Sequence, residues 1–458
     1  MHLAVPLLSS LLAAAPAAKL PSAAELAPRI DALAAETLKE GPVVGLSLAV
    51  VRGGDVVIQK GYGKANLELG VPVTEQSLFR IGSITKQFTA AAIMQLVEQG
   101  KVKLDDDVTK YVDFPTHGKR ITLRHLLTHT SGLKNYTKAE DFPKKAPLEL
   151  TPDEVLALVK DVPPLVEPGS KWAYSNTGYF LLGLVIEKAS GMKYADYLEK
   201  NVFPRAGLQR TWYCDVSRIL PHRVAGYTLQ KGQPVNAEHL GMSVPYAAGS
   251  LCSTAPELVE WARALETGKV VSPESYTLMT TPVKTTDGKG APYPYGFGLS
   301  MVELEDHPTV EHGGGINGFA ANLMRLPKDD LTVVVLFNTE GRASPMDLSA
   351  KLARLALGIP EPVVKDLPLS ADEARRYEGT YAREKTKWAL RFVDGKLRMR
   401  PSYLPATEED ILLLYQGDGD FVPKGESVHY RFEAGTGPSK RLRLFDGKRA
   451  VMEATRVP

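Results

Sequence analysis

Phe79-Arg80-Ile81-Gly82-Ser83-Ile84-Thr85-Lys86 runs directly into Gln87-Phe88-Thr89-Ala90-Ala91-Ala92-Ile93-Met94-Gln95-Leu96-Val97-Glu98-Gln99-Gly100. From Thr85 to Glu98 the apolar residues Phe88, Ala91, Ala92, Met94 and Leu96 recur at helical spacing, and Gly100 is placed to stop the helix. Ser83 therefore lies at or just before a helix N-terminus. Three residues apart in a first turn, its hydroxyl and the Lys86 ammonium share one face, and the free N–H groups of the helix start lie near any charge that develops there. A serine attacks a carbonyl only when a nucleophile, a base and an oxyanion donor converge. Ser83 and Lys86 supply the first two.

The Ser-x-x-Lys spacing alone selects nothing, because it occurs at Ser83/Lys86, Ser131/Lys134 and Ser190/Lys193. In the second and third copies Gly132 or Gly191 follows the serine, which disfavours starting a helix and reads as a turn or a C-cap. Only Ser83 opens a long helix. Tyr174-Ser175-Asn176, in a loop after Pro168-Gly169 and just before an apolar helix over Gly178 to Ser190, adds a second element. As a tyrosinate, Tyr174 would accept the serine proton if a cation such as Lys86 lowered its pKa from about 10. The Asn176 amide suits a substrate carbonyl. His312-Gly313-Gly314-Gly315 is the third element, straddling the end of a strand over Thr309 to Glu311. Bare backbone at Gly314 and Gly315 would let an acyl group lie against that strand, with the Gly315 N–H as second oxyanion donor.

The 458 residues suffice for two domains, and 55 Lys plus Arg against 53 Asp plus Glu give a net charge of +2 without a basic run, so no nucleic acid partner is expected. Residues 1–18, apolar from Leu3 to Ala18 with Ala15-Pro16-Ala17 as a small-x-small site, read as an export signal and place the protein in the periplasm or outside the cell. No later segment reaches the ~20 apolar residues of a membrane span. The two cysteines, Cys214 and Cys252, admit either one bridge or two buried thiols. His125 and His129 stand four apart, as zinc ligands do, but Leu126 occupies the place where a His-Glu-x-x-His site needs its Glu. Neither metal nor cofactor is expected.

Around these elements, Ala23 to Leu38 reads as an amphipathic helix, and Val43 to Arg52 and Asp55 to Gly61 as a hairpin turning at Gly53-Gly54. Thr122 to Thr281 reads as an α-rich insert. Strands follow at Phe319 to Leu326 and Leu331 to Phe337, then a helix over Pro345 to Leu357. From Tyr377 onward, short β segments broken by pairs such as Asp394-Gly395 and Asp418-Gly419 read as a small all-β sandwich or barrel.

Phe79 to Lys86, Leu123-Arg124-His125-Leu126-Leu127-Thr128-His129-Thr130-Ser131-Gly132-Leu133, Tyr174-Ser175-Asn176 and His312-Gly313-Gly314 together resemble the serine β-lactamase-related hydrolases. That family comprises class C β-lactamases, D-alanyl-D-alanine carboxypeptidases, D-aminopeptidases and esterases of one fold. Ala248-Gly249-Ser250-Leu251 and Tyr295-Gly296-Phe297-Gly298 match it too. The resemblance implies an α/β (α+β) fold, with an antiparallel sheet flanked by helices and an all-α subdomain, over residues 19–360. It implies Ser83 as nucleophile, Lys86 and Tyr174 as acid/base, Asn176 as positioning residue and His312, Gly314 and Gly315 on the substrate side. Residues 366–458 resemble the lipocalin-like domain attached to many members. Class C β-lactamases carry Lys-Thr-Gly where this chain has His312-Gly313-Gly314, so efficient β-lactam hydrolysis is not expected, and His312 would change charge near neutral pH. The expected activity is cleavage of an amide or ester through an acyl-enzyme. The expected partner is a small molecule or short peptide, peptidoglycan fragments included. The alternative, a non-catalytic penicillin-binding-like sensor, is disfavoured by the intact Ser83, Lys86, Tyr174 and Asn176.

Overall fold

The computed structural model describes residues 20–458 apart from 342, 384, 405–408, 425–427, 436 and 447–448; the expected export signal lies outside the described residues. Its centre is a seven-stranded antiparallel sheet built from both ends of the first module. The strands are β1 (Gly45–Arg52), β2 (Asp55–Asn66), β3 (Val71–Pro72), β4 (Ser300–Leu304), β5 (His307–Ile316), β6 (Phe319–Leu326) and β7 (Leu331–Phe337), in the spatial order β3-β2-β1-β7-β6-β5-β4. The β1–β2 hairpin turns at Gly53 and Gly54, whose φ of +61° and +86° only glycine adopts without strain.

Strand β7 explains its own composition. Val333, Val335 and Phe337 pack with β1 residues Leu46, Leu48 and Val50 beneath helices α1 (Ala23–Glu40) and α5 (Pro345–Leu357), while Val334 and Leu336 face the opposite core. Both faces are covered, so an unbroken apolar run replaces the alternation of a half-exposed strand. At roughly 1.5–3 kcal/mol per fully buried aliphatic side chain, this pairing anchors the module.

The second core gathers helices α2 (Thr85–Glu98), α3 (Asn176–Ser190) and α4 (Ala255–Glu266). Every residue of α2 from Thr85 to Leu96 is buried, so α2 is a central helix rather than an amphipathic surface one. Short strands Phe79–Arg80, Leu251–Ser253 and Trp212–Tyr213 form a small sheet beside it. Cys252 lies in the middle strand, and Cys214 follows the edge one. They form a buried disulfide, which closes the choice that the sequence leaves open.

Two strands of the sheet outrun expectation, β2 continuing past Gly61 to Asn66. β5 continues through His312-Gly313-Gly314-Gly315 to Ile316 instead of ending at Glu311. The glycines permit close approach: a Cβ on Gly314 would stand 2.0 Å from the Ile81 carbonyl oxygen, in the turn that carries Ser83.

The C-terminal region is a closed eight-stranded barrel from Gly379 to Val457, with its own core of Tyr377, Tyr381, Trp388, Phe421 and Phe432 among others. Asp394-Gly395 and Asp418-Gly419 both take positive φ, as the tightest hairpin turns require. Among the described residues no helix is long and apolar enough to cross a membrane.

Candidate active site

Ser83 sits in a single 3-10 turn, Gly82–Ile84, that feeds α2. Gly82 has φ +50°, and a Cβ there would lie 2.9 Å from the Gly315 nitrogen, so turn and strand β5 touch through backbone alone. The sequence-predicted side chains converge on this turn. Lys86 Nζ is 3.1 Å from Ser83 Oγ, 2.8 Å from Asn176 Oδ1 and 2.8 Å from the Ala248 carbonyl oxygen. Tyr174 donates its hydroxyl to Ser83 Oγ at 2.8 Å. Asn176 is the first residue of α3 and serves Lys86.

Ala248 was not singled out by residue chemistry, since any residue supplies a carbonyl. It is placed by a turn, Tyr246–Ala248, in which Tyr246 adopts φ +42°, an outlier for a bulky side chain. Two features hold it. Tyr246 donates to Glu187 Oε1 at 2.9 Å, and Gly183 of α3 leaves room, because a Cβ there would meet the Tyr246 ring at 2.4 Å and Ala247 at 2.6 Å. Leu251 N–H donates to Thr85 Oγ1 at 3.1 Å, and Ile81 N–H donates to the Leu251 carbonyl at 3.0 Å, so the strand holding Cys252 is bonded to the turn on both sides of Ser83.

Burial sets the protonation states. It holds Lys86 well below the usual lysine range, favouring the neutral amine, and it pushes Tyr174 above its ordinary value, keeping the phenol. The shift at Tyr174 thus favours the phenol over the tyrosinate expected from sequence. Lys86 Nζ donates to Asn176 Oδ1, to the Ala248 carbonyl and to Ser83 Oγ, and Ser83 Oγ also receives the Tyr174 hydrogen; on losing a proton, Lys86 would present a lone pair to Ser83.

Behind Tyr174 lies a chain the sequence reading missed. Ser175 N–H donates to His129 Nδ1 at 3.2 Å; His129 Nε2 meets Tyr295 Oη at 3.2 Å; Tyr295 Oη meets His312 Nε2 at 3.0 Å; His312 Nδ1 meets the Gly313 carbonyl at 2.6 Å. One direction satisfies every link: His129 donates to Tyr295, Tyr295 to His312, and His312 to Gly313. Both imidazoles are neutral in it. Burial holds His129 well below the usual histidine range and His312 at about 4. His312 therefore does not change charge near neutral pH, contrary to the sequence expectation, and both its nitrogens are engaged inside the protein. The His129 ring also lies 4.2 Å from the Tyr174 ring, centroid to centroid, and φ at His129 is +57°. The Leu123 to Leu133 and Tyr295 to Gly298 stretches carried the only sequence signal for these residues.

Gly314 packs against Ile81, whereas a Cβ on Gly315 would meet nothing within 4 Å. Of the two glycines expected to face substrate, Gly315 is the exposed one, beside the Ser83 turn.

A serine hydroxyl held between an amine and a phenol, on a helix packed against an antiparallel sheet, is the arrangement of the serine β-lactamase-related hydrolases. The β-lactamase family model matches residues 30–358, and the chain belongs to that family. It is 27% identical over 417 residues to a D-aminopeptidase of Gluconobacter oxydans, covering 89% of this chain and 76% of that protein. Among solved structures, the octameric penicillin-binding protein homologue from Pyrococcus abyssi superposes with a TM-score of 0.68 at 28% identity, covering 94% of this chain and 99% of the other. A D-stereospecific amidohydrolase from Streptomyces gives a TM-score of 0.62 at 27% identity, over 71% of this chain and 97% of that one. The chain is a hydrolase.

Proposed function

We propose that this hydrolase cleaves amides of D-amino acids or short peptides through an acyl-enzyme on Ser83. The observation that carries this is the placement of Ser83 Oγ, 3.1 Å from Lys86 Nζ and 2.8 Å from the Tyr174 hydroxyl. Lys86 Nζ takes the Ser83 proton as Oγ bonds to the carbonyl carbon. The oxyanion is met by the Ser83 and Gly315 N–H groups. Tyr174 gives its proton to the departing amine and recovers one from the Lys86 ammonium; the ester then yields to water by the same transfers reversed. Similarity to a D-aminopeptidase and a D-stereospecific amidohydrolase supports the amide and the D configuration. The Cys214–Cys252 bridge supports an oxidising compartment and so the exported reading.

The test is release of p-nitroaniline from D-alanine p-nitroanilide, with the L-enantiomer, a p-nitrophenyl ester and a penicillin in parallel, by the wild type and Ser83→Ala. Ser83-dependent release that favours the D-anilide is expected. Turnover of the ester alone would shift the reading to an esterase, and no reaction with any of them would make the chain a binding protein.

A further inference from the structure

Beside the Ser83 turn lies a cavity of about 180 Å³ that none of these steps uses. Water needs roughly 10–15 Å³ of such space, so the cavity has room for a small polar group together with solvent. Arg80, three residues before Ser83, and Asn317 and Phe319, just past Gly315, belong to its wall together with Arg223 and Gly226. Close packing closes the floor: Cβ atoms on Gly226 and Gly318 would lie 2.6 Å from the Phe319 ring and 2.7 Å from the Gly226 Cα.

Two guanidinium groups line this space together with the Glu238 carboxylate, and among the described residues neither makes an ion pair, although Asp215 attracts Arg223 from a distance. The Arg80 side chain has no hydrogen bond or ion pair among the described residues; its Cζ stands 5.8 Å from the Phe319 ring centroid. Arg223 donates to the backbone carbonyls of Asp215 and Arg218, which fixes its plane and leaves its charge uncompensated by contact. Glu149 attracts Arg80 from a distance, but its own oxygens accept from the Met242 and Ser243 N–H groups at 2.8 and 3.0 Å. Glu238 and His239 line the cavity too, both exposed. Burial, and after it the charge of Arg223, hold Arg80 down to about 10. Folding does not gather unpaired guanidinium groups in a cavity without cost, and a planar anion relieves it by accepting from both.

We propose that Arg80 and Arg223 form an anion subsite that takes a carboxylate of the acyl substrate, one set apart from the bond that Ser83 attacks. The proposal rests on the hydrolase reading above. It makes the preferred substrates carboxylate-bearing acyl compounds such as peptides with a free C-terminus, rather than neutral amides or simple esters.

Calorimetric titration of the full chain with N-acetyl-D-alanine and with N-acetyl-D-alaninamide tests it, in the wild type, Ser83→Ala, Arg80→Gln, Arg80→Lys and Arg223→Gln, with melting curves to confirm folding. Tenfold or tighter binding of the carboxylate than of the carboxamide is expected in wild type and Ser83→Ala. The preference should weaken as salt is raised, vanish in Arg80→Gln, fall in Arg223→Gln and return in part in Arg80→Lys. Equal affinities in the wild type, binding of neither compound, or a preference that survives in folded Arg80→Gln would overturn the subsite. The anilide assay separates the two ideas. Ser83-dependent release without carboxylate preference removes the subsite and leaves the hydrolase, and preference without release does the reverse.

Discussion

Ser83-Ile-Thr-Lys86 and Ser190-Gly-Met-Lys193 spell one pattern and meet opposite fates. Lys193 lies past the C-terminus of α3, its side chain 80% exposed and 3.3 Å from Glu187, while Gly191 at φ +73° ends the helix and Ser190 Oγ accepts from the Met192 N–H. Lys86 lies in the first turn of a helix buried on all sides, its amine held by three oxygens and its pKa lowered by burial. The Ser131 copy fails as the Ser190 copy does, with Gly132 at φ +72° and Ser131 Oγ bonded to the Leu133 N–H. A serine and a lysine three apart become a nucleophile and a base only where the fold removes water from the lysine.

The sharpest way to break this comparison is to remove the hydroxyls. Ser83→Ala should lower kcat/KM on the D-anilide by on the order of 10⁴-fold or more, whereas Ser190→Ala should leave it within about twofold. Comparable losses at the two positions would end the argument. Removing the acid/base groups comes next. Lys86→Ala and Tyr174→Phe should each cost about 10²–10⁴-fold, with Lys193→Ala silent. Because Lys86 acts as the neutral amine and Tyr174 as the phenol, kcat/KM should rise with pH as Lys86 loses its proton and stay high to at least about pH 10; a fall through the alkaline range below that would mean that a protonated lysine or a tyrosinate is required.

The smallest effect tests burial directly. His312 is held at about 4 against about 6.5 in the unfolded chain. Between those values the unfolded state binds more protons, so stability should fall by about 3 kcal/mol as pH drops from 6.5 to 4, and the loss should shrink in His312→Gln. Imidazole NMR signals showing His312 charged at pH 6 would contradict it.

Much of the scaffold was legible in the sequence because its signals are local. The Thr85 to Glu98 periodicity and its Gly100 stop, the Gly53-Gly54 hairpin and the two-sided apolar run of β7 each lie within one element. The convergence of Ser83, Lys86, Tyr174 and Asn176 was anticipated from motif order. What stayed hidden depends on distant contacts. The Ala248 carbonyl comes from 162 residues beyond Lys86, and Tyr295 from 166 beyond His129. Strand β5 read as ending at Glu311, because three glycines look like a turn until the backbone of Ile81 packs against them. The direction in which burial moves Lys86, Tyr174 and His312 was hidden for the same reason: a residue's burial is not written beside it.

The central claim, that Ser83 is the residue acylated, is tested most directly by mixing the purified chain with D-phenylalanine p-nitrophenyl ester, quenching in acid within milliseconds and mapping added mass by peptide mass spectrometry. The account predicts a D-phenylalanyl adduct on the peptide containing Ser83, accumulating in Lys86→Ala or Tyr174→Phe wherever acylation outlasts the lost base, and absent in Ser83→Ala. An adduct on another residue, or undiminished turnover by Ser83→Ala, would contradict it.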